Sequence, residues 1–147
     1  MASEEGATYT VAQLVEKAEE LAGVGEAQAA LEFYKRALEL EPENTAVMDD
    51  TAQLLLDCNH MEPAVSLLTR SIELAPDVGH EKYMNLAQLL QGQDSLACFG
   101  KGIEVMKKTL AAAQAAGQAA DPAAAALPAQ IAVGLSSCAE LFMTDLW

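Results

Sequence analysis

The chain has 147 residues, enough for one domain with a continuous core, and a formal net charge of −14. This charge argues against nucleic acid and anionic membranes as partners, because both present negative charge. Apolar residues make up 52% of the sequence but aromatic residues only 5%, and alanine supplies much of the apolar share. Since alanine is the best helix former and lets helices pack closely, the composition predicts an all-α fold.

The acidic residues are concentrated in the first half of the sequence. Residues 1–78 carry 16 acidic and 4 basic side chains, whereas residues 79–147 carry 6 and 4. Solubility alone explains acidity of this kind in many proteins. That interpretation stays open beside a binding role for the acids.

Seven helices are predicted along the chain, after a disordered N-terminus at residues 1–7. Their sequences contain an internal repeat: residues 37–42 read ALELEP and residues 71–76 read SIELAP, which is a period of 34. The same register aligns Ala30 with Ala64, and small residues there let the two helices of a hairpin cross closely. The predicted helices are Thr8–Gly23, Glu26–Leu40, Asn44–Cys58, Glu62–Leu74, His80–Gln91, Asp94–Ala116 and about Pro128–Asp145.

This pattern of small and large residues, closed by Pro42 and Pro76, resembles the tetratricopeptide repeat. Each proline stops the second helix of a pair because it cannot donate a backbone hydrogen bond. The resemblance implies an α-solenoid of stacked antiparallel helix hairpins. The predicted divisions are repeat 1 at 8–42, repeat 2 at 43–78, a divergent repeat 3 at 79–116, an Ala-rich linker at 117–127 and the first helix of a partial fourth repeat at 128–147.

The last predicted helix has no following helix to pair with, and terminal repeats normally need a polar outer face. We therefore expect its apolar face to be covered by self-association with a second copy or by self-docking, or to be mobile. The apolar residues of this face are Leu135, Phe142, Leu146 and Trp147.

The sequence contains no convincing catalytic or metal-binding constellation. Asp49 and Asp50 are adjacent on a helix, so their side chains point about 100° apart. Cys58 and His60 are two residues apart near a helix end and do not face each other. The cysteines and histidines form no CxxC or HxxxH pair. We expect no catalytic residue, metal or cofactor, and cysteines that serve as small core filler.

The cysteine count and the N-terminal sequence together predict where the protein is located. The odd number of cysteines and the absence of a recognisable signal sequence indicate a reducing, intracellular compartment. The Ala-rich run Leu110–Leu127 comes nearest to a membrane span, but Gln, Gly, Asp and Pro interrupt it. We therefore expect no membrane partner.

In the stacked hairpins that the repeat implies, the first helix of each pair lines the concave face. The exposed positions of those helices are acidic and amide-rich, and the only basic residue among them is Lys82 at the edge. We predict that this lining is a peptide-binding groove. Its predicted residues are Glu16, Glu19, Asp49, Asp50, Gln53, Asp57, Glu81, Met84, Asn85, Gln88 and Glu140.

The sign of these residues predicts the kind of peptide. Repeat modules that hold the acidic tails of heat-shock chaperones use lysine, arginine and asparagine at the corresponding positions, which here are Val15, Glu19, Asp50, Glu81 and Asn85. Only Asn85 is of that type, so a carboxylate tail would be repelled and a basic extended peptide attracted. The alternative is that the acids are ordinary solvated surface.

Two later segments, KYMNLAQLLQGQDSLACFGKGIEVM and AELFMTDLW, resemble a fungal family of tetratricopeptide-repeat assembly chaperones for ribosomal protein number four of the large subunit. Members of that family are longer, so this chain would be a truncated form. The residues that carry the resemblance are Tyr83, Leu86, Gln88, Leu89, Gly92, Leu96, Phe99, Lys101 and Gly102, followed by Met143, Thr144, Asp145 and Leu146.

The resemblance implies a dedicated chaperone. Such a chaperone binds the long basic internal loop of a newly made ribosomal protein, keeps that protein soluble and escorts it to the nucleus. The resemblance therefore implies a cytoplasmic and nuclear location. A generic tetratricopeptide scaffold or co-chaperone adaptor stays open as the alternative function.

Overall fold

The computed structural model describes residues 8–118 and 120–144, and these residues form seven α-helices and no strand. This confirms the predicted all-α class. The predicted disordered N-terminus at 1–7, and the C-terminal Asp145, Leu146 and Trp147, lie outside the described residues. The helices are α1 (Val11–Gly23), α2 (Ala27–Leu40), α3 (Thr45–Asp57), α4 (Met61–Leu74), α5 (Glu81–Leu89), α6 (Gly92–Ala115) and α7 (Pro122–Thr144).

The chain divides into two compact units, Met1–Leu67 (unit 1) and Leu68–Trp147 (unit 2), and the division falls within α4. This differs from the single domain that the length predicts. In a repeat fold each helix pair contacts mainly its neighbours, so chain length does not determine how the contacts are grouped.

The core of unit 1 lies among its first three helices, because α2 packs against both α1 and α3. Ala18 and Ala30 are completely buried, as expected for small residues where α1 and α2 cross. Burying a leucine such as Leu14 stabilises the fold by about 1.5–3 kcal/mol. The buried cluster consists of Leu14, Ala18, Ala30, Tyr34, Ala37, Val47 and Leu54.

The turns of unit 1 follow the 34-residue period. Gly25 and Asn59 stand 34 positions apart, and both have a left-handed backbone, with φ of 86° and 65°. In each turn the next residue donates its N–H to a carbonyl five residues earlier: Glu26 to Leu21 and His60 to Leu55, each at 2.8 Å. Glycine and asparagine adopt this conformation most readily, so both helices end in the same way.

The starts of α1 and α3 in unit 1 are capped by side chains. The Thr10 hydroxyl accepts the N–H of Gln13 at 3.2 Å, and the Gln13 side chain accepts the N–H of Thr10 at 3.0 Å. Asn44 accepts the N–H of Val47 at 3.2 Å at the start of α3. Caps of this kind are worth about 1 kcal/mol each, and they fix where the acidic helices α1 and α3 begin.

In unit 2, α5, α6 and α7 come together around two glycines. A Cβ on Gly102 would lie 2.8 Å from Met84 Cε, and one on Gly134 would lie 3.3 Å from the same atom. The Cβ on Gly134 would also lie 3.1 Å from Ile103 Cγ1. The missing side chains let α5 and α7 pack closely against α6, and Met84 fills the remaining space.

Helix α7 begins earlier than the sequence predicts. The expected linker over 117–127 is shorter, because Pro122 already starts the helix and Pro128 lies inside it. A proline suits the first turn of a helix, where its missing N–H has no partner to lose. Ala124 and Leu127 are buried, and Leu127 packs with Ile103 and Met106 of α6. This packing stabilises the turn that precedes Pro128.

Candidate functional site

The predicted binding residues fall into two sets, one in each unit. In unit 1, Glu16 and Glu19 of α1 are exposed, while their neighbours Leu14 and Ala18 are buried. The burial of one side of α1 therefore leaves its acidic side accessible, as predicted.

On α3 the predicted residues differ in exposure. Asp50, Gln53 and Asp57 are exposed, and the Gln53 amide donates to the Asp57 carboxylate at 3.1 Å. Asp49 is half-buried. Asp49 is therefore less accessible to an incoming peptide than Asp50 is.

The hydroxyl of Tyr34 on α2 is affected by acidic residues of both α1 and α3. Only 4% of this residue is exposed. Burial, the Asp50 carboxylate of α3 and the Glu19 carboxylate of α1 together raise the pKa of the Tyr34 hydroxyl to about 12. Carboxylates of two helices therefore act on one hydroxyl, and we call the exposed residues Glu16, Glu19 and Asp50 the acidic face of unit 1.

Tyr34 is not among the binding residues predicted from the sequence. The available signal was its hydroxyl, since the aligned residue one repeat later is Leu68. A tyrosine that replaces an aliphatic core residue usually directs its hydroxyl to a polar partner.

One predicted residue of unit 2 is only partly accessible, and another is buried. Met84 is half-buried, and its side chain packs against Gly102 and Gly134. Lys82, expected at the edge of the binding surface, is only 1% exposed. Its ammonium donates to the Ser71 carbonyl at 3.2 Å, the Ser71 hydroxyl at 3.3 Å and the Ala75 carbonyl at 2.5 Å.

The remaining predicted residues of unit 2 lie closer to the surface. Glu81, Gln88 and Glu140 are exposed, and Asn85 is half-buried. Gln88 of α5 and Glu140 of α7 line one open cavity of about 300 Å³, whose apolar wall includes Phe99 of α6. The structure thus brings together two residues that are 52 positions apart in the sequence.

Helix α7 also presents apolar side chains to the surface. Val133, Leu135, Phe142 and Met143 are all more than half exposed. By length and composition alone α7 could cross a membrane, and 11% of its apolar stretch is buried. A single helix of this kind is weak evidence for a membrane span, and the expected absence of a membrane partner stays untested.

The cysteines and acids offer little chemistry of their own. Burial raises the pKa of the Cys98 thiol, with a smaller contribution from Asp94, and burial raises that of Cys138. A raised pKa leaves less thiolate for nucleophilic attack. Across residues 8–118 and 120–144, no three His, Cys, Asp or Glu side chains lie together in a way that could hold a metal ion.

Comparison with known proteins agrees with this architecture. Residues 21–91 match the family model of the tetratricopeptide repeat. No curated protein matches the chain. The solved structure titled "Assembly Chaperone of RpL4 (Acl4) (Residues 1-338)" superposes over 95% of this chain with a TM-score of 0.86 and 23% sequence identity.

The chain spans 57% of the length of that solved chain. At 23% identity the likeness shows the fold, so the resemblance to the assembly-chaperone family is confirmed at that level. The family-model match and the structural likeness together establish a tetratricopeptide-repeat fold, whose general use is to bind other proteins.

Proposed function

We propose that this protein is a non-enzymatic chaperone that captures a newly made basic ribosomal protein and supports ribosome assembly. The acidic side chains of the first helices would hold an extended basic segment of that partner. The proposal includes a cytoplasmic and nuclear location, since such a partner is made in the cytoplasm and assembled in the nucleus.

The exposure of Glu19 and Asp50 on two helices that both pack against α2 carries this proposal, and both carboxylates raise the pKa of the Tyr34 hydroxyl of α2. Two carboxylates that act on one point attract a lysine or arginine side chain more strongly than scattered acids do. The structural likeness to the assembly chaperone of RpL4 supports the proposal that the partner is a ribosomal protein.

Identification of the bound protein tests the proposal. The tagged chain is purified from cells at low salt, and its partner is identified by mass spectrometry. We expect a single basic ribosomal protein. The affinity between the purified chain and the purified ribosomal protein should fall as the salt concentration rises. Screening limits the interaction between exposed charges to a distance of about 8 Å at physiological ionic strength.

Other outcomes of the same purification would contradict this function. Recovery of a heat-shock chaperone, or of several unrelated proteins, would favour the generic scaffold or co-chaperone adaptor. An affinity that does not change with salt would exclude the acidic helices as the binding surface.

We also propose that the exposed apolar residues of α7 mediate self-association. Leu135 and Phe142 are 51% and 54% exposed, and burying them between two copies would remove apolar surface from water. Sedimentation should show a dimer whose population grows with concentration and falls when both residues are replaced by serine. A monomer at every concentration, or equal association of the serine variant, would contradict this proposal.

A further inference from the structure

The open cavity of unit 2 has an apolar wall and a polar rim. Phe99 of α6 and Leu141 of α7 form part of the wall, and Leu90 follows the end of α5. Gln88 and Glu140 stand at the rim, where both are exposed. A volume of about 300 Å³ is at the lower end of the range for small-molecule sites and suits one long side chain.

The three hydroxyl groups around the cavity each donate a hydrogen bond to a backbone carbonyl of the protein. Ser95 donates to the Ala87 carbonyl at 2.6 Å, Ser137 to the Val133 carbonyl at 3.1 Å, and Thr144 to the Glu140 carbonyl at 2.8 Å. Each hydroxyl oxygen can then only accept a further hydrogen bond. These oxygens therefore favour a ligand that is rich in donors.

The carboxylate of Glu140 adds negative charge to this set of acceptors. Among the described residues Glu140 forms no ion pair, whereas Lys101 and Lys108 of α6 pair with Asp77 and Glu104. Those two lysines therefore do not neutralise Glu140. Of the residues at the rim, only Gln88 contributes amide donors.

We propose that this cavity binds an arginine side chain of the partner polypeptide. The inference rests on the proposed function and gives one side chain of the basic segment a defined site. A guanidinium offers five donors and no acceptor, which matches the rim. Its plane can also stack on an aromatic ring such as Phe99, and its apolar stem can pack against Leu141.

A peptide of four arginines separated by glycine and serine is the probe, and fluorescence anisotropy measures its affinity. Glu140→Gln should weaken binding about tenfold, or about 1.4 kcal/mol, because the neutral amide no longer attracts the guanidinium charge. The matched control is Glu73→Gln, which removes the same charge from an exposed position of unit 2 outside the cavity. It should change the affinity less than about twofold.

A second peptide, in which citrulline replaces arginine, isolates the guanidinium charge. It should bind the original chain at least tenfold more weakly than the arginine peptide does, and the Glu140→Gln variant should weaken it no further. Nuclear magnetic resonance should place the arginine-dependent shifts at the Gln88 side-chain amide and in α7.

Three results would overturn the proposal. They are equal effects of Glu140→Gln and Glu73→Gln, equal binding of the arginine and citrulline peptides, and no binding of the arginine peptide at all. None of these results decides whether the acidic face of unit 1 captures the ribosomal protein, because that proposal has its own test. Conversely, recovery of a partner that is not a basic ribosomal protein would remove the proposed function even if the cavity binds arginine.

Discussion

Replacement of Glu16, Glu19 and Asp50 by lysine is expected to weaken capture of the basic ribosomal protein by about tenfold to a hundredfold. All three side chains are exposed, so the change should leave the helices intact. Each favourable pair contributes about 0.2–1 kcal/mol, and lysine turns each attraction into repulsion. The combined loss is about 1–3 kcal/mol, or about tenfold to a hundredfold in affinity. Titration with the purified partner measures the affinity, and circular dichroism checks the helix content.

A matched variant separates the position of the charges from their number. Glu32, Glu39 and Glu43 are also exposed, and they lie on α2 and the loop after it. Replacing them by lysine changes the formal net charge from −14 to −8, as the first triple replacement does. We expect this control to keep most of the affinity. If both variants lose binding equally, only total charge matters and the acidic face of unit 1 is not the site.

Tyr34 reports independently whether the acids act where we place them. Its pKa of about 12 should fall when Glu19 and Asp50 are replaced, although burial keeps it above the ordinary value of 10. The pKa should stay near 12 in the control variant. Because the folded-state pKa is raised, the neutral hydroxyl stabilises the fold fully below pH 10, and this contribution is lost as the pH rises toward about 12. Absorbance of tyrosinate measures the titration, and Tyr34→Phe identifies it.

The repeat register could be predicted from the sequence because it depends on local and periodic features. Alanine at fixed positions and a proline after each second helix locate α1 to α4 to within a few residues. The turns at Gly25 and Asn59 follow the same period, although two different residues occupy that position. These features need no knowledge of which distant residues meet.

Contacts between helices decided what the sequence did not predict. Met84 occupies a position that looks exposed on an isolated helix, but Gly102 and Gly134 leave room for its side chain to pack against the core, and it is half-buried. The first turns of α7 form because Leu127 packs on α6. The cavity joins Gln88 with Glu140, and no local pattern links two residues so far apart. Side-chain size on a neighbouring helix, rather than periodicity, determines each of these outcomes.

Lys82→Met is expected to destabilise unit 2 by about 2–4 kcal/mol, the largest stability effect that we predict for a single substitution. Methionine keeps the apolar stem but removes the ammonium, which donates to the Ser71 and Ala75 carbonyls. Those carbonyls stand at the C-terminal end of α4, where a positive charge is favoured. Urea denaturation measures the change in the free energy of unfolding.

The matched control is Lys101→Met, since Lys101 pairs with Asp77 and Glu104 where both carboxylates are exposed. It should cost less than about 1 kcal/mol. Burying an ammonium costs desolvation free energy, and its removal offsets part of the loss at Lys82. Methionine cannot satisfy the buried acceptors, however, so the net effect should remain destabilising. Equal stability of the two variants would mean that desolvation cancels the hydrogen bonds and that Lys82 does not fix the start of α5, the helix that carries Gln88 to the cavity.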